Sequence, residues 1–175
     1  MAGSLISLDT VNVTSAVSSV ALGASNWDSS YNVYKVVYDT VAPSSDGATL
    51  NVRFLVSGSA DTSSNYDRSF KKLRTDTTFS DVGATNEDKL RTSASGTGTS
   101  TSEVNNGVIY LYNFNVSDEY SFISCEETML SNTAGLRGNM GGGMLTVNQS
   151  CNGIQFLFST GNIASGNFQL FGLRK

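Results

Sequence analysis

The 175-residue chain contains no histidine. That absence removes the commonest general base, the usual hydrolase triads and most zinc sites. There are two cysteines, Cys125 and Cys151. They lack the C-x-x-C spacing of a metal or redox motif, and no histidine is present to activate a thiolate. Both are expected as free thiols, as in a chain folded in a reducing cytoplasm, although a bridge stays open if the two sites lie close. Charge is sparse: 11 Lys and Arg against 15 Asp and Glu, net −4. An acidic balance argues against non-specific binding to nucleic acid or to an anionic membrane, which needs clustered positive charge. No stretch approaches the roughly 18 to 20 apolar residues that span a bilayer. The N-terminus shows no basic-then-apolar leader, so no secretory signal is expected. Asn12-Val-Thr14, Asn115-Val-Ser117 and Asn148-Gln-Ser150 match the glycosylation sequon. In an Asn- and Ser-rich chain they read as chance matches.

What the chain does have is Ser, Thr, Asn and Gly, which suit turns and strand surfaces, and runs of alternating apolar residues. Convincing amphipathic helices are missing. Ser15 to Leu22 reads as a strand, as does Tyr31 to Val41, rich in β-branched and aromatic residues. Pro43, the only proline, and Asp46-Gly47 mark the turn after it. Thr49 to Ser57 alternates cleanly, with Leu50, Val52, Phe54 and Val56 on one face and Asn51 and Arg53 on the other. One strand is expected within 66–79, a strong one over Val108 to Phe114, another over Tyr120 to Met129, and one beginning at Leu145 and Val147. Ile154, Phe156 and Phe158, then Phe168 and Leu170, form two more around a glycine-bearing turn, read as a closing hairpin. Residues 92–103 are low-complexity and turn-prone and are expected as a flexible internal loop. The pattern predicts an all-β fold, an antiparallel β-sandwich of about eight strands, jelly-roll-like. Residues 1–14 form an N-terminal arm or lead-in, and 15–175 a single domain. The middle of the chain, 60–105, is the part that pattern assigns least.

The C-terminal residues Ile154, Phe156, Ser159, Gly161, Asn162, Ile163, Gly166, Phe168, Leu170, Phe171, Gly172 and Leu173 follow a distinctive order. They resemble the closing segment of a family of small β-rich structural proteins from tailed phages, common in marine and cyanobacterial phages. Tyr31-Asn-Val-Tyr34, the Pro43-Ser-Ser-Asp-Gly47 turn and the strand through Leu50, Val52 and Phe54 match more loosely. Together the two regions cover well under half of the chain. The resemblance implies a non-enzymatic virion component and carries no catalytic or binding residues.

Candidate chemistry is thin. A glycosidase needs only two carboxylates, and Asp118, Glu119, Glu126 and Glu127 are the candidates. Adjacent strand residues point to opposite faces, so Glu126 and Glu127 cannot share a cleft on a regular strand; a solvated edge is the expected setting. Asp61 to Asp67 and Asp76 to Asp81 lack the EF-hand pattern. Arg137-Gly-Asn-Met-Gly-Gly-Gly143 lacks the ending of a phosphate loop and reads as a loop, a bulge or a close backbone approach. Arg68, Lys71, Lys72 and Arg74 are the nearest thing to a basic cluster, read as a solvated strand surface or as partners for Asp67 and Asp76. No catalytic, metal or cofactor site is expected. Trp27, Tyr66 and Tyr120 lie near loops and are the candidate contacts for a glycan or an interface. The expected function is a capsid decoration or cement protein on the virion surface, made in the host cytoplasm. It would act as a homotrimer against other virion proteins such as the major capsid protein. The alternative is a tail-fibre or spike component that binds a host-surface glycan.

Overall fold

A computed structural model describes residues 4–76, 78–133 and 135–173. The fold is all-β. Its strands are β1 (Leu5–Val13), β2 (Val20–Gly23), β3 (Val33–Pro43), β4 (Leu50–Val56), β5 (Ser59–Ala60), β6 (Tyr66–Arg74), β7 (Ser80–Glu87), β8 (Leu90–Arg91), β9 (Asn105–Tyr112), β10 (Ser121–Ser131), β11 (Gly135–Leu145), β12 (Gly153–Phe158) and β13 (Ile163–Leu173). They form two antiparallel sheets packed as a sandwich. The larger runs β1-β13-β3-β9-β10-β11-β6-β7, and the smaller runs β2-β12-β4-β5, with β8 also on β4.

Inward residues follow the period-two pattern that β-branched and aromatic side chains favour on a half-buried sheet. Tyr34, Val36 and Tyr38 of β3, Ile109 and Leu111 of β9, and Phe168 and Leu170 of β13 face Leu50, Val52 and Phe54 of β4 and Ile154, Phe156 and Phe158 of β12. The aromatic rings meet directly: Phe156 lies 5.4 Å from Tyr38 and 5.0 Å from Phe168 between centroids, and Phe54 lies 4.7 Å from Phe114. Such tilted contacts add about 0.5–1.5 kcal/mol each beyond area burial.

Several expectations need correction. The described residues form thirteen strands rather than about eight, two of them only two residues long. The C-terminal segments are not a hairpin: β12 pairs with β2 and β4 in the small sheet, whereas β13 pairs with β1 and β3 in the large one. The Gly161 turn (φ +70°) is therefore a crossover between layers. The glycine run at 141–143 lies inside β11, not in a loop. A Cβ on Gly142 would sit 2.7 Å from the Ile123 carbonyl oxygen, and one on Gly141 would collide with the Ser69 carbonyl, so only glycine lets β10, β11 and β6 approach this closely. β4 is covered on both sides: Asn51 and Leu55, on the face read as outward, are buried. Residues 5–13 of the expected arm are an edge strand of the large sheet. The segment 92–103 begins in the interior. Thr92, Ser93, Ala94 and Thr97 are buried, and Thr97 bridges both Ala48 and Ser131.

Candidate functional site

The side chains singled out from sequence separate into three places. Tyr66 is fully buried in the core; its hydroxyl accepts from the Phe54 amide at 3.0 Å and donates to the Asp61 carbonyl at 3.2 Å. It offers no surface contact, which removes it as a glycan or interface residue. Trp27 is half-buried at one end of the sandwich. Its ring stacks on Tyr34 at 3.8 Å and its indole N–H donates to Asn115 Oδ1 at 2.8 Å. Tyr120, before β10, is 40% exposed.

Glu126 and Glu127 occupy opposite faces of β10, as the pleat requires. Glu126 is exposed on the outer face of the large sheet. Glu127 is not on a solvated edge: it is 6% exposed and points between the sheets, where the Tyr38 hydroxyl donates to its Oε2 at 2.9 Å. Its other oxygen makes no hydrogen bond among the described residues. Burial pushes its carboxyl up to about 7, while Tyr38, the Ala94 amide, Arg91 and Thr92 pull the other way. Desolvation of the charged form outweighs them because no full ion pair compensates it. Neighbouring Cys125 is buried and free, and burial and then the Glu127 charge raise its thiol well above the ordinary range. Cys151 is also buried and free, pushed up to about 11 by burial. Neither thiol has the thiolate character of a nucleophile. Among the described residues, no three or more Cys, Asp or Glu side chains gather as metal ligands. No helix among them is long and apolar enough to cross a membrane.

The most distinctive surface is the outer face of the large sheet. Register places Tyr112 of β9, Phe122 of β10, and Leu136, Met140 and Met144 of β11 on it, with Leu73 of β6 opposite Gly138. Phe122 is 39% exposed, Met140 45% and Leu136 52%. A shallow groove of about 530 Å³ crosses this face between Val37, Val108, Thr128, Leu73 and Met140, and a second of about 320 Å³ adjoins it over Gly138. Polar side chains line them too, among them Asp39, Asn106, Glu126, Arg74 and Arg137, and Lys71, paired to Asp81 at 2.8 Å, stands opposite Met140.

The basic cluster read from 68–74 is split by the pleat. Lys71 faces outward to Asp81, and Arg74 pairs with Asp76 at 2.9 Å, a local partnership of the expected kind. Arg68, Lys72 and Arg74 face inward; register sets Arg74 opposite Arg137, Lys72 opposite Asn139 and Arg68 opposite Gly143, and β8 brings Arg91 to β6. Sequence reasoning missed this grouping because the residues come from three separate strands; only the β11–β6 register joins them.

No family model, curated protein or solved structure matches this chain.

Proposed function

We propose that this protein is a non-enzymatic structural component of a tailed-phage virion, a decoration or cement protein on the capsid surface that works as a homotrimer. The observation that carries the reading is the outer face of the large sheet. Apolar side chains of β9, β10, β11 and β6 stand exposed there, with Glu126 and Lys71 on either side of Met140, as on a surface that another protein covers. Cementing would bury that face against neighbouring subunits. The winding supports a jelly-roll-like fold, common among capsid proteins: β1 to β4 alternate between the sheets, as do β12 and β13. The resemblance of the C-terminal segment supports the phage assignment, and the separation of Glu126 from Glu127 supports a non-catalytic role. A second reading, a tail-fibre or spike component that binds a host-surface glycan, draws on Tyr120, an exposed aromatic before β10.

The test combines light scattering with capsid binding. The wild-type chain is expected as a trimer that decorates assembled capsids. Met140→Lys and Leu136→Lys should abolish decoration while leaving thermal stability near wild type, because both side chains are already exposed. A monodisperse monomer without affinity for capsids would remove the reading.

A further inference from the structure

The large sheet is wider than the small one, and β11, β6 and β7 extend past it. β8 and the residues after it cover part of their inner face: Leu90 lies against Gly143, and Asn139 Nδ2 donates to the Thr92 carbonyl at 2.6 Å. The rest of that face carries a row of cations. Alternation puts Arg68, Lys72 and Arg74 of β6 on this face, and register sets Arg74 opposite Arg137 and Lys72 opposite Asn139. Lys72 lies between Arg68 and Arg74 on this face, and burial, then the charges of Arg91, Arg68, Arg74 and Arg137, push its ammonium below its ordinary range. This happens in a chain whose net charge is −4.

Counter-charges are few. Asp76, on the turn after β6, lies 2.9 Å from Arg74 Nη2 and 3.6 Å from Arg137 Nη1. Glu127 lies in the cross-strand row of Asn139 and Lys72, beside Arg91. Arg68, Lys72 and Arg91 make no ion pair among the described residues. Arg137 is 5% exposed, yet among the described residues its Nη1 makes no hydrogen bond, and the buried Nε atoms of Arg68 and Arg74 are equally unused. Buried polar groups in native proteins are almost always satisfied, and like charges opposite one another on a ladder repel. A bound anion would relieve both conditions at once.

We propose that this face binds a tetrahedral oxyanion, a phosphate or sulfate group, at Lys72, between Arg68 and Arg91 on one side and Arg74 and Arg137 on the other. Donors arrive from three strands, β6, β8 and β11, and so flank a ligand on both sides. A planar carboxylate would be met by a single guanidinium fork, whereas a tetrahedral group presents oxygens in several directions. Arg68, Lys72, Arg74 and Arg91 are only half-buried, which leaves this face open to solvent. The inference does not rest on the virion reading. The group could be a free ion or an ester on a sugar.

Thermal unfolding and titration calorimetry on the whole chain test it. Sodium phosphate and sodium sulfate are compared with sodium chloride at equal ionic strength, and N-acetylglucosamine 6-sulfate is added as a third ligand. At least one oxyanion should raise Tm beyond the chloride control. Lys72→Gln and Arg68→Gln should each weaken its affinity about tenfold or more. Each should also raise the Tm of the anion-free chain, because each removes a like charge; a merely structural role would lower it. These half-buried positions keep the test sound if Arg137→Gln fails to fold. Binding of the inorganic ions alone identifies a free-ion site, and preference for the sugar ester identifies a carried group. No shift beyond chloride with any of the three ligands, or variants that respond as the wild type does, would overturn the proposal.

Discussion

Glu127→Gln is the sharpest perturbation of the interior. In the folded chain the Glu127 carboxyl is pushed up to about 7 by burial, against an ordinary 4.5. Between those two values the folded state holds a proton that the unfolded chain has released. Stability from this group is therefore fully present below about pH 4.5 and is lost as pH rises through 7. At 1.36 kcal/mol per pKa unit, the full swing is roughly 3 kcal/mol. Glutamine has nearly the same shape, does not titrate, and still offers an oxygen to the Tyr38 hydroxyl that now donates at 2.9 Å. Chemical denaturation of both proteins across pH 4.5 to 8 isolates the effect, since all other titrations cancel in the difference. Relative to Glu127→Gln, the wild type should lose roughly 3 kcal/mol between the two ends. A difference that stays flat would refute the reasoning. It would mean that Arg91 holds Glu127 ionised throughout and that the pair behaves as a buried salt bridge.

Other consequences are open to direct measurement. Gly107→Ala places a Cβ against the Tyr38 hydroxyl and 2.7 Å from the Glu126 carbonyl oxygen, so it should destabilise by about 1–3 kcal/mol in denaturant titration. Phe156→Ala removes a fully buried ring between Tyr38 and Phe168 and should cost about 3–5 kcal/mol by the same assay. Trp27→Phe keeps the stack on Tyr34 but deletes the donor to Asn115, with an expected loss of about 1 kcal/mol. Trp27 is the only tryptophan, so wild-type fluorescence reports on that end of the sandwich alone and should shift red on unfolding.

The strands that sequence marked best are those whose apolar alternation is driven by one buried face. β3, β9 and β10 lie close to where Tyr34, Val36 and Tyr38, Ile109 and Leu111, and Ile123 and Cys125 place them. Partners were harder to read than strands. β12 and β13 both alternate and are joined by Ser159-Thr-Gly-Asn162, a turn that fits a hairpin and a crossover equally well. What separates them is that both have a buried face and must bury it against each other, which places them in opposite layers. β7 was missed because Ser80 to Glu87 carries one large apolar residue, Val82, and is held as a strand by its ladder to β6. β11 was hidden by its glycines, which disfavour strands by propensity but are required by the close packing against Ser69 and Ile123. The opposite facing of Glu126 and Glu127 was legible from the pleat alone. The depth of Glu127 was not, because the segment that buries it, Thr92 to Ala94, reads as loop composition. The cationic face depends on register and on β8, and neither leaves a mark in local sequence.

The virion reading is tested most directly by copy number. Purified particles are digested and the chain is quantified by mass spectrometry against the major capsid protein. A ratio comparable to that of the major capsid protein is the expected result for a decoration protein. A ratio far below it would move the protein to the tail and favour the glycan reading, and absence from the particle would contradict a structural role in the virion.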